Sequence, residues 1–125
     1  MSLILDGSNG ITLPATTTVQ NCAIGAFVTF NGLSAASPVI KASFNVTSVT
    51  RTATGQYTIV MTNALSDVNY SVVATSSFDG TNNGFLTFQN RNGTTKSTTT
   101  FYIQTSIPTT GTPTDSAEVG VIAVR

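Results

Sequence analysis

The chain has 125 residues, of which 40% are hydrophobic and only 8% charged, and five basic residues balance five acidic ones. That length makes one domain, able to bury roughly two-thirds of the surface its unfolded form exposes. Zero net charge, with Lys41, Arg51, Arg91, Lys96 and Arg125 each standing singly, excludes counterion-release binding to nucleic acid and a polybasic hold on an anionic bilayer.

Soluble domains usually carry roughly 25% charged residues. Here 24 threonines, 13 serines and 10 asparagines supply the polarity instead. No apolar stretch approaches the roughly 20 residues that span a bilayer, and the opening MSLILDG lacks the basic and apolar regions of a signal peptide. Synthesis in a cytoplasm, without membrane insertion, is the expectation. The single cysteine, Cys22, has no internal disulfide partner and reads as a small packed hydrophobe.

In chain order, the opening LILDGSNGITLP sets Leu3, Ile4 and Leu5 against Ile11 and Leu13 around a turn-forming Asp-Gly-Ser-Asn-Gly cluster. The ATTTVQN that follows, low in complexity, reads as a linker. Residues 1–21 are therefore expected to be an N-terminal attachment or trimerisation segment with its linker, and residues 22–125 a globular domain.

No window holds apolar residues at helical spacing between caps. Strand windows recur instead at Ala26 to Phe30, Ile40 to Thr50, Gln56 to Thr62, Asn69 to Ser76, Gly84 to Asn90, Thr99 to Ser106 and Ala117 to Val124. About seven short strands between turns predict an antiparallel β-sandwich. In the second window Phe44 and Val46 share a phase that Val49 breaks, as expected where a bulge or bend passes the chain to another sheet. Gly55 in RTATGQ predicts a hairpin turn, and Tyr57, Ile59 and Met61 then alternate as on a mid-sheet strand. Phe101, Ile103, Thr105 and Ile107 repeat the alternation until Pro108 ends it, with loop from Pro108 to Ser116. The final AEVGVIAV is apolar in both phases apart from Glu118, which predicts a central strand or one pressed into a subunit contact.

Chemistry has little to work with. Histidine is absent, and with it the commonest general base and metal ligand. Asp6, Asp67, Asp79, Asp115 and Glu118 stand apart with no pairing suggested by spacing, and Asp67 and Asp79 read as turn caps. Asp79, Asn82 and Asn83 offer oxygens of the kind calcium takes, but one carboxylate among them reads as an ordinary polar loop. No phosphate-binding glycine motif is present. The expectation is a protein that is not an enzyme, with no cofactor and no metal. Asn45-Val-Thr47, Asn69-Tyr-Ser71 and Asn92-Gly-Thr94 match the glycosylation tripeptide, which an Asn- and Thr-rich chain produces by chance. Phe85 and Phe88, on opposite faces of one strand, read as core or interface residues, with a sugar contact as the alternative.

The stretch AFVTFNG (Ala26 to Gly32), with Asn45 to Ser48, Gly55 to Thr58 and Asn69-Tyr70 in that order and spacing, resembles a module common near the ends of bacteriophage tail-fibre and tail-appendage proteins. The opening LDGSNGITLP is similar to a short repeat that leads into such fibre ends. The resemblance implies a β-rich homotrimer in a virion, joined to other virion proteins and contributing to host attachment, without enzymatic activity. On that reading Leu3, Ile4, Leu5, Ile11 and Leu13 serve virion attachment and oligomerisation. Asp79, Asn82, Asn83, Arg91, Asn92 and Lys96 would face a receptor such as a host-surface glycan. The main alternative is a capsid decoration or head-fibre protein with no receptor role; a glycan-active enzyme is a third, disfavoured by the unpaired carboxylates.

Overall fold

The computed structural model describes residues 4–6, 10–12, 24–33, 37–77, 86–89 and 93–125. Regular structure among them is all β, and no helix is long and apolar enough to cross a membrane. β1 (Ile4–Asp6) and β2 (Gly10–Thr12) form a hairpin that pairs with neither large sheet. Eight strands follow: β3 (Ile24–Asn31), β4 (Val39–Phe44), β5 (Val46–Ala53), β6 (Gln56–Met61), β7 (Ser71–Ser76), β8 (Leu86–Gln89), β9 (Thr100–Ser106) and β10 (Val119–Val124). They make two antiparallel sheets, ordered β4-β3-β10-β7 and β5-β6-β9-β8, around one core. This is the expected sandwich. The linker segment Pro14 to Asn21, Cys22 and Phe85 lie outside the described residues.

The strands number eight because the window from Ile40 to Thr50 is two strands in different sheets. Asn45, between them, takes φ 54°, a left-handed conformation that Asn tolerates better than most residues. Its side chain secures the crossing. Nδ2 donates to the Gly25 carbonyl of β3 at 2.8 Å and to the Asn63 carbonyl beyond β6 at 3.1 Å, while Oδ1 accepts from Asn63 N–H at 2.7 Å. A bulge at Thr47 follows, since Val46 pairs with Met61 but Ser48 with Val60. The phase break at Val49 is this bulge, within β5 and just past the crossing. Beyond it Val49 is buried, whereas Phe44, on the other sheet, is exposed.

Each inward-facing set comes from strict alternation. Tyr57, Ile59 and Met61 on β6 and Phe101 and Ile103 on β9 meet Val28 and Phe30 on β3 and Val119 and Val121 on β10. β6 and β10 are central in their sheets, as their patterns predict. Phe30 and Tyr57 pack edge to face across the core with centroids 5.0 Å apart, an arrangement the ring quadrupole favours. Burying a side chain such as Phe101 or Ile103 contributes about 1.5–3 kcal/mol. β7 starts only at Ser71, because Asp67 Oδ1 accepts the Asn69 N–H at 2.7 Å and holds a turn there. Gly55 closes the β5–β6 hairpin at φ 66°.

Asn45 supplies both hydrogen bonds and backbone tolerance, and two substitutions separate them. Asn45→Gly keeps the tolerance and is expected to lose about 1–2 kcal/mol with the amide contacts. Asn45→Ala should lose about 1 kcal/mol more through left-handed strain. Chemical denaturation of both variants checks the order; equal losses would mean that the backbone conformation costs nothing.

Candidate functional site

Asp79, Asn82, Asn83, Arg91 and Asn92, expected on receptor-facing loops, lie outside the described residues, as do Leu3 and Leu13. The backbone register of the N-terminal hairpin sets Leu5 opposite Ile11 and Ile4 opposite Thr12, so strand pairing brings the two apolar runs together. Lys96 is described, and it is engaged within the chain. Its ammonium lies 4.5 Å from the centroid of the Tyr70 ring and donates to the Tyr70 carbonyl. Tyr70 in turn donates its hydroxyl to the Ser97 carbonyl at 2.7 Å, and burial pushes its pKa up to about 12. Lys96 thus clasps its loop to the start of β7 through a cation–π contact and a charge-assisted hydrogen bond.

One polar cluster was not visible in the sequence. Asp115, in the loop between β9 and β10, accepts from Arg51 Nε at 2.9 and 3.0 Å and from Arg51 Nη2 at 2.7 Å. It also accepts the Gly55 N–H at 2.7 Å, and the buried Tyr57 hydroxyl lies 3.1 Å away. The same hydroxyl is 3.1 Å from the Gly32 carbonyl, so its one proton serves two acceptors. Desolvation pushes the Asp115 carboxyl upward, but the Arg51, Gly55 and Tyr57 donors outweigh it and hold its pKa below the usual carboxylate range. Burial and the nearby Asp115 charge push Tyr57 the other way and keep it a phenol. An acid, a phenol and a guanidinium in contact could resemble a catalytic set. Here each is spent on the others, which makes the cluster a structural lock. Arg51 is 64 residues from Asp115, and no local pattern announces the pair.

The two outer sheet faces differ in kind. On the sheet containing β6, cross-strand rows read Thr50, Thr58, Tyr102 and Ser48, Val60, Thr100, rich in hydroxyls, while a further row sets Phe88 opposite Gln104 and Gln56 in backbone register. On the sheet containing β10, register aligns Phe44, Phe27, Ile122 and Val73 in one row across all four strands. The next row reads Ala42, Thr29, Gly120, Thr75. Phe44, Val73 and Ile122 are 54%, 57% and 43% exposed, and neither row carries a charge. Every charged side chain described has a partner in the chain: Lys41 with Glu118, Arg51 with Asp115, Arg125 with Asp67, and Lys96 with Tyr70.

Among the described residues, no three of His, Cys, Asp and Glu gather as a metal site. The amide nitrogen of Asn45, in one of the glycosylation tripeptides, is engaged by two carbonyls. No protein-family model, curated protein or solved structure matches the chain.

The depressed Asp115 pKa fixes a sign. Stability from this carboxylate is fully present above the unfolded value of about 3.9 and is lost as pH falls through the lower folded value. Denaturation midpoints of the parent chain should therefore fall steeply below about pH 4. Asp115→Asn should start lower and show a flatter acid limb; a parallel limb would remove Asp115 as the titrating group.

Proposed function

We propose that this protein is a structural component of a bacteriophage particle, a homotrimeric tail-fibre or baseplate-attached module that contributes to host attachment and performs no catalysis. The observation that carries the reading is the position of the residues on which the sequence resemblance rests. Asn45 occupies the left-handed sheet crossing, Gly55 the hairpin turn bonded to Asp115, and Tyr57 the buried contact between sheets. Tyr70 is buried and packs edge to face on Phe101. At Gly32 a side chain would collide with the Tyr57 hydroxyl and the Ser116 carbonyl. The motif is thus made of fold-determining positions, which is why a shared motif argues for a shared module.

Two physical features suit that role. A hairpin precedes the sandwich and pairs with neither sheet, as an attachment element would. Among the described residues the ionic groups are paired internally, so contacts made there with other virion proteins or a neutral glycan would rest on apolar packing and hydroxyl or amide hydrogen bonds. An array of such modules turns weak contacts into avidity.

Electron microscopy of particles carrying this protein tests the reading. Clusters of three or more copies on the tail or baseplate are expected; a regular lattice over the head would instead make it a capsid decoration protein with no receptor role.

A further inference from the structure

We infer that the outer face of the β4-β3-β10-β7 sheet is the surface on which a second copy of this chain packs. The inference deepens the proposed function and rests on its self-association.

The face carries both halves of a contact. Gly120 has no side chain between Thr29 and Thr75, and this break in the row leaves a groove of about 220 Å³ bounded by Phe27, Val73 and Ile122. Phe44, on edge strand β4, projects from the same face, its ring stacked on Phe27 at 6.2 Å and more than half exposed. A protruding ring and an apolar notch, two strands apart on one surface, are what a three-fold arrangement of identical subunits can join, the ring of each copy entering the notch of the next.

Charge favours the same occupant. The rows that line the face hold no ionic group, and the Lys41–Glu118 pair, at 2.6 Å, spans β3 where β10 begins. A strongly charged partner finds nothing complementary there, whereas a copy with zero net charge meets no repulsion. Apolar centre and polar rim are the usual anatomy of an interface.

Area sets the strength. Four strands about 4.8 Å apart and about six residues long at about 3.3 Å each give a face on the order of 400 Å². Three such faces around one axis bury on the order of 1,200 Å² in all, about 400 Å² per pair of subunits, below the roughly 1,200 Å² at which a stable pairwise interface begins. The sheet contact is therefore weak alone and depends on a second. Ile24, 54% exposed, borders the groove and carries the apolar surface to the first residue of β3.

Sedimentation velocity of the full chain over a concentration series provides the test, with Val73→Glu, Ile122→Glu and, on the opposite face, Thr50→Glu. The parent and Thr50→Glu proteins should gain mass together with concentration, while the other two need about tenfold more protein or more. Circular dichroism checks folding. Should the glutamate variants misfold, hydroxyl-radical footprinting of the unaltered chain replaces them: oxidation of Phe44 should fall on concentration while that of Tyr102 holds. Association that persists in folded Val73→Glu and Ile122→Glu, or Phe44 left unprotected in the oligomer, overturns this face and leaves the homo-oligomer standing. A parent chain monomeric at every concentration overturns both.

Discussion

A single carboxylate holds the crossover on which the sandwich depends. After β9 the chain must leave one sheet and return to the centre of the other as β10, and the loop that makes this passage contains Asp115. Through Arg51, Gly55 and Tyr57 that side chain fastens the loop to both strands and the turn of the β5–β6 hairpin. Backbone bonds continue the seam: Thr114 N–H to the Thr105 carbonyl at 3.0 Å, Thr105 N–H to the Gly55 carbonyl at 2.8 Å, and Gly32 N–H to the Ser116 carbonyl at 3.0 Å. A partly buried charge costs desolvation, and the density of donors around Asp115 offsets it. What the pair secures is the path of the chain, more than raw stability.

Elsewhere hydroxyls and amides do what charges do in most domains. Thr47 and Thr62 meet at 2.9 Å across β5 and the residue after β6, and Thr87 reaches the Ala74 carbonyl at 2.7 Å between edge strands of the two sheets. Buried Ser116 bonds Ser77 and the Glu118 carbonyl. These groups are short and cost little side-chain entropy when fixed. They bond locally and cast no long-range field, so a surface built from them selects partners by shape and hydrogen bonding.

Local pattern made part of this legible. Tyr57, Ile59 and Met61 reveal a central strand because alternation reports burial directly, and Gly55 reveals its turn because few other residues take positive φ cheaply. The slip between Val46 and Val49 reported the bulge at Thr47, which lies just past the crossing at Asn45. The Asp115 cluster was not legible, because Asp115 and Arg51 are joined only by the fold. The surroundings of Lys96 were not legible for the same reason: in sequence it is an isolated loop cation, while in space it lies on the Tyr70 ring. The apolar outer face was half legible. The two-phase apolarity of Val119 to Val124 announced a central strand, but that Phe27, Phe44 and Val73 align with Ile122 follows from register alone.

The sheet edges sharpen the meaning of that face. A β-sandwich can associate by adding a strand at an edge or by packing a face, and edges are the commoner hazard. On one side of this sandwich the edge strands are β4 and β5, and both are bulged: Lys41 is the extra residue in β4, Thr47 and Thr52 those in β5. Bulges bend a strand and break the row of groups a neighbour would pair with. On the other side Thr87 ties β8 to β7. With one side irregular and the other cross-linked, the edges are poorly suited to strand addition, which leaves the sheet faces, and the outer face of the β10 sheet is the one proposed to meet a second copy. On that proposal the difference between the two outer faces gives the protein a direction, set by the uncharged apolar row of Phe44, Phe27, Ile122 and Val73.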